Sequence, residues 1–127
     1  MSQSHRHREI VHAGRVLRIE CAMCLNGTSP SSDFLRGLRQ PELSKVQALL
    51  ERMADHGEIC NREKFKKVKG QIWEFKSFQI RLLCFQDGKN WVLTHGFVKK
   101  QDQIPKREIE RAEQIRAEDQ SQKGLSG

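Results

Sequence analysis

The sequence predicts an α+β domain, and three observations carry that prediction. Leu43, Val46, Leu49, Leu50 and Met53 recur at three- and four-residue spacing, the apolar stripe of an amphipathic helix. After Phe65 the pattern changes to short apolar runs separated by turn signals. The clearest is Asp87-Gly88 before Lys89-Asn90, where glycine can take the positive φ of a hairpin turn. Pro105 then opens a last helical stretch in which Ile109, Ala112 and Ile115 share a face.

In chain order, residues 1–14 read as a flexible leader, polar, with His5, His7 and His12 scattered among arginines. Val16 to Met23 alternates imperfectly and reads as a first strand. Asn26 to Ser32 is turn chemistry, with Ser31 or Ser32 placed to cap a short helix holding Phe34, Leu35 and Leu38. Pro41 starts the second helix at its favoured first position and Gly57 stops it. Lys66-Lys67-Val68-Lys69-Gly70 leads into a strand at Ile72 to Lys76. Two more strands follow, Gln79 to Gln86 and Trp91 to Phe97. Strand, two helices, three antiparallel strands and a helix predict an antiparallel sheet with its helices segregated to one side. The domain is expected to span residues 15–118, and 119–127 to be a disordered tail.

The 127 residues suit one domain. Lys and Arg outnumber Asp and Glu by 23 to 16, a formal net charge of +7, which favours nucleic acid, ribosome or an acidic protein as partner, with a membrane surface as the other candidate polyanion. No apolar run approaches the ~20 residues that span a bilayer. The polar opening Met1 to Glu9 is unlike a secretory signal, so a cytoplasmic protein is expected. Cys21 and Cys24 form a C-x-x-C. Cys60 and Cys84 supply no second pair for zinc, and on a strand positions three apart face opposite ways. The cysteines are read as small hydrophobes, with no metal site.

One set of segments is similar to a known family. His95-Gly96-Phe97-Val98-Lys99-Lys100, Ile104-Pro105 and Glu108-Ile109-Glu110-Arg111-Ala112 resemble the closing part of phage-derived HigB-like toxins of the RelE/ParE superfamily. Val68-Lys69-Gly70, Ile72-Trp73-Glu74-Phe75-Lys76 and Ile80-Arg81-Leu82-Leu83 resemble the strands before it, and Asp33-Phe34-Leu35 resembles the family opening. The resemblance implies a RelE/ParE-like fold: two N-terminal helices packed on a curved antiparallel sheet, with a C-terminal helix. It also implies a toxin that cleaves translated mRNA at the ribosome, without metal or cofactor. Its antitoxin would carry a helix-turn-helix domain; a homodimer is left open.

Metal-independent RNA cleavage needs help in removing the 2′-hydroxyl proton, cations for the charge building on phosphorus, and a proton for the leaving oxygen. Arg81 is the expected charge stabiliser. It sits among Ile80, Leu82 and Leu83, where a guanidinium is costly unless it faces a groove or partner, and its fork suits phosphate. The resemblance places the family's catalytic arginine here, and basic residues beside the scissile phosphate at Lys99 and Lys100. His95 is the natural proton carrier and Glu74 a candidate general base or a tether for Arg81. Lys66, Lys69, Lys76 and Lys100 are expected to bind backbone phosphates, with Lys67 adding charge. The chain has no tyrosine, so Trp73 or Phe97 is left to stack a base. The competing functions are a ParE-like gyrase poison and a catalytically degenerate module that binds only antitoxin or RNA.

Overall fold

The computed structural model describes residues 7–123. Two strands come first, β1 (Glu9–Ala13) and β2 (Arg18–Cys21), then the helices α1 (Pro30–Arg36) and α2 (Gln40–His56). Four strands follow, β3 (Phe65–Lys69), β4 (Ile72–Ser77), β5 (Ile80–Asp87) and β6 (Asn90–Val98), before α3 (Lys106–Ser121). The strands form one sheet in the order β1-β2-β6-β5-β4-β3. β2 and β6 are parallel, and every other pair is antiparallel.

The expected fold, two N-terminal helices on a curved antiparallel sheet, is therefore corrected to a six-stranded mixed sheet. Its helices lie in the middle and at the end of the chain, within the same α+β class. The parallel pair arises because everything between β2 and β6 acts as one long crossover, which returns the chain beside β2 in the same direction. β1 occupies part of the expected leader and pairs with β2 from Glu9 opposite Cys21 to Ala13 opposite Arg18. His5 and residues 124–127 lie outside the described residues, whereas Asp119 to Ser121 of the expected tail close α3.

The helices cover both faces, not one. Leu82 and Cys84 of β5 face α1 and α2 with Ile19, Leu50, Met53 and Phe75. Leu83 and Phe85 alternate to the other face and meet Ala112 and Ile115 of α3. The Gly57 stop of α2 has φ 82°, and its N–H donates to the Met53 carbonyl. Neither expected serine caps α1: Ser31 donates to the Leu93 carbonyl and Ser32 to Glu9. Gly96 matters for a different reason, since a Cβ there would lie 2.4 Å from the Phe34 ring. Its missing side chain lets α1 rest on β6.

The N-terminal strands are locked to α3 by charge. The Arg8 side chain, only 7% exposed, donates to Asp119, Glu20 and Asp87. Asp119 is fully buried and also accepts from the Met23 N–H and from His7. Burial alone would raise the Asp87 pKa, but hydrogen bonds from Lys123 and Arg8 outweigh it and hold the carboxyl below its ordinary range. Removing the cation strands buried carboxylates, so Arg8→Met is expected to cost about 3–5 kcal/mol. Urea unfolding at neutral pH measures it; a loss under about 1 kcal/mol would mean the cluster is incidental to the fold.

Candidate functional site

Strand register decides which expected residues share a surface. Lys66 opposes Glu74, Glu74 opposes Leu83 and Leu83 opposes His95, while Lys76 opposes Arg81 and Arg81 opposes Phe97. Leu83 belongs to the core under α3, so this whole set lies on the α3 face. Lys69 opposes Ile72 beyond a bulge and is exposed at the sheet edge. Trp73 alternates with Glu74 onto the other face, where it stacks on Phe65 with ring centroids 5.2 Å apart. The aromatic chosen for RNA stacking thus packs under α1 and α2. Phe97 is half-buried beside His95.

Arg81 is 7% exposed. Its Nη1 donates to the carbonyls of Phe78 and Ile80, which fixes the guanidinium at the start of β5. Its Nε lies 3.5 Å from Glu74 Oε1, yet neither atom has a hydrogen-bond partner among the described residues. Lys66 Nζ lies 3.9 Å from the other Glu74 oxygen. Glu74, buried between two cations, is suited to orienting Arg81. A half-bonded buried ion pair is costly, so this arrangement is hard to explain by stability alone.

Beside Arg81 opens a polar cleft of about 510 Å³, lined by Gln79, Arg81, Lys99, Lys100, Gln101 and Asp102. Three of the expected site residues converge here. The Lys99 N–H donates to the Gln79 carbonyl at 2.7 Å, pinning the end of β6 to the β4–β5 turn. Asp102, which the sequence reading did not select, adds a carboxylate to the lining. Its signal was weak, a single acid after Lys-Lys-Gln. Glu74 and His95 do not line the cleft.

His95 is fully buried. Its Nε2 lies 2.9 Å from Glu108 of α3, and its Nδ1 3.3 Å from the Thr94 hydroxyl. Burial drives the imidazole pKa below its usual value, against the opposing hydrogen bond from Glu108. No group of three potential metal ligands occurs among the described residues. Burial pushes the Cys21 thiol up to about 11 and that of Cys84 well above its usual value, so neither is a ready thiolate. Cys60 is exposed. No helix among the described residues is long and apolar enough to cross a membrane.

His95 makes a pH prediction with a definite sign. Because the folded pKa is depressed, the unfolded chain takes up the proton first as pH falls. Stability from the neutral ring is present above about 6.5 and lost below it. The urea midpoint is expected to drop between about pH 7.5 and about pH 5.5, and His95→Gln to flatten that drop. An unchanged slope in the variant would assign the titration to another group.

Comparison with known protein families gives a match over much of the chain. The family model described as phage derived protein Gp49-like (DUF891) matches residues 33–117, from α1 into α3. Among curated proteins no match is found. The matched span is well over half of the chain and contains the Arg81 strand and the end of β6, leaving β1 and β2 outside it. The chain belongs to the phage-derived Gp49-like family, a family of RelE-like toxins.

Proposed function

We propose that the chain is the toxin of a toxin–antitoxin module, of the HigB-like branch, and that it stops translation by cutting mRNA at the ribosome. The observation that supports this most directly is the cleft in which Arg81, Lys99 and Lys100 meet. A phosphodiester entering it finds a guanidinium preorganised by two carbonyls and two ammonium groups on the adjoining strand end.

In this reading the 2′-hydroxyl attacks the adjacent phosphorus and the 5′-oxygen leaves, giving a cyclic phosphate and a free 5′-hydroxyl. Arg81, Lys99 and Lys100 hold the charge that builds on the phosphoryl oxygens. Asp102 takes the 2′-hydroxyl proton, and one of the lysines gives a proton to the departing oxygen. Glu74 and Lys66 act on Arg81, not on RNA. His95, bound to Glu108, holds α3 against β6. Charge stabilisation comes from side-chain cations, so the scheme calls for no cofactor. Lys69 and Lys76 add to the positive field that draws in the RNA. The partners are mRNA, the ribosome and a helix-turn-helix antitoxin whose acidic or amphipathic segment covers the basic face, in the cytoplasm.

The test is expression in a translating extract with mapping of mRNA 5′ ends. Cleavage by the wild type is expected, and a loss of roughly a hundredfold in Arg81→Lys, which keeps the charge but not the fork. The double variant Lys99→Ala/Lys100→Ala, altered at half-buried and exposed positions, is expected to lose at least as much while unfolding at the wild-type midpoint. Intact messages accompanied by trapped DNA breaks would point instead to a gyrase poison, and intact messages alone to a non-catalytic binding module.

A further inference from the structure

β4 and β5 are joined by Phe78 and Gln79. Two-residue hairpin loops favour Gly, Asn or Asp, because they require positive φ. Phe78 nevertheless adopts φ 55°, the one non-glycine with positive φ among the described residues, and its side chain is 72% exposed. A bulky residue is strained in that conformation, and here it gains no burial in return. The geometry presents an aromatic ring to solvent at a cost to the fold.

The surroundings say what the ring would meet. Phe78 stands between two recesses of about 330 and 340 Å³. Arg39, Lys45, Arg52, Lys64 and Lys76 line one or both, against the single carboxylate of Glu42, which already lies 3.7 Å from Arg39. Lys45 Nζ is 4.6 Å and Lys64 Nζ 6.0 Å from the ring centroid. Exposed cation–π contacts of this kind are weak, so a nucleobase can displace an ammonium from the ring and leave it free for a phosphate. Gln79 lines both the first recess and the Arg81 cleft, so the two sites adjoin at the β4–β5 turn.

We propose that Phe78 and its ring of lysines and arginines form a second RNA subsite, in which a base flanking the cleaved phosphate stacks on the Phe78 ring. The inference rests on the nucleic-acid reading of the cleft and adds to it a binding position that sequence-tolerant stacking would serve. It also supplies an aromatic platform in a chain without tyrosine.

The full chain is titrated with a fluorescent single-stranded RNA of about eight nucleotides, 2′-O-methylated throughout so that it cannot be cleaved, with anisotropy as readout. Phe78→Gly relieves the backbone and is expected to unfold no earlier than wild type, yet to bind roughly tenfold more weakly. Phe78→Trp is expected to bind at least as tightly as wild type. Equal affinity of Phe78→Gly and wild type, in a protein that still cleaves mRNA, overturns the subsite and leaves the nuclease reading standing. Failure of the wild type both to bind the RNA and to cleave mRNA overturns both. Phe78-dependent binding of a glutamate octapeptide with no Phe78-dependent RNA binding assigns the patch to an acidic protein and overturns the inference.

Discussion

The fold depends on β6 being paired along both edges and covered on both faces. It runs parallel to β2 and antiparallel to β5. Trp91 and Leu93 lie under the α1–α2 hairpin, and Val92 lies toward α3. A strand so enclosed must be apolar almost throughout, which is why Trp91 to Leu93 reads as a continuous hydrophobic run. The same enclosure sets what its polar residues can do. His95 falls inside the layer between sheet and α3 and must find Glu108. Lys99 and Lys100 come just past the paired length and so reach solvent beside Arg81.

Much of this was legible in the sequence. The α2 stripe, its Gly57 stop and the Asp87-Gly88 turn are local signals, since each is set by side-chain spacing or one backbone requirement. The mixed sheet was not legible. Parallel pairing of β2 with β6 joins residues some seventy positions apart and leaves no local trace. The same is true of β1: the segment around Glu9 to Ala13 looks polar because it follows His7 and Arg8. Their partners Asp119, Asp87 and Glu20 come from α3, β5 and β2. A guanidinium in a tail and a guanidinium in a buried knot have the same sequence signature.

The site divides along the same line. Arg81 stood out because a cation inside an apolar strand demands an explanation, and the structure places it at a cleft. Trp73 was chosen by residue type, but strand alternation separates it from Glu74 and turns its ring into the Phe65 and Trp91 cluster. His95 lies on the same face as Arg81, and register alone could have shown that much. That α3 would seal it could not be read from β6. Phe78 did leave a signal, an aromatic in the shortest of hairpin loops, where the backbone favours glycine or asparagine.

Two apparent defects lie within four consecutive residues. Phe78 bears a strained backbone and an exposed ring; Arg81 bears a buried Nε that meets a carboxylate without a proper hydrogen bond. Between them, the Gln79 carbonyl anchors the end of β6. Each feature alone is a local irregularity that a more stable sequence would lack. Glycine at 78 would relax the turn, and an aliphatic residue at 81, with Glu74 replaced to match, would complete an apolar strand. Elsewhere, the buried Arg116 Nε excepted, local requirements are met: Gly57 caps α2, Gly96 admits Phe34, and even the buried Arg8 has all its carboxylates in bonding range. Strain and an unmet bond concentrated in one turn are what selection for a binding surface leaves behind. The turn aims ring and guanidinium toward adjoining recesses, and in each the cations outnumber a single carboxylate. A polyanion carrying flat bases matches both halves of that surface, whereas a partner that is only acidic matches its charge and leaves the ring unexplained.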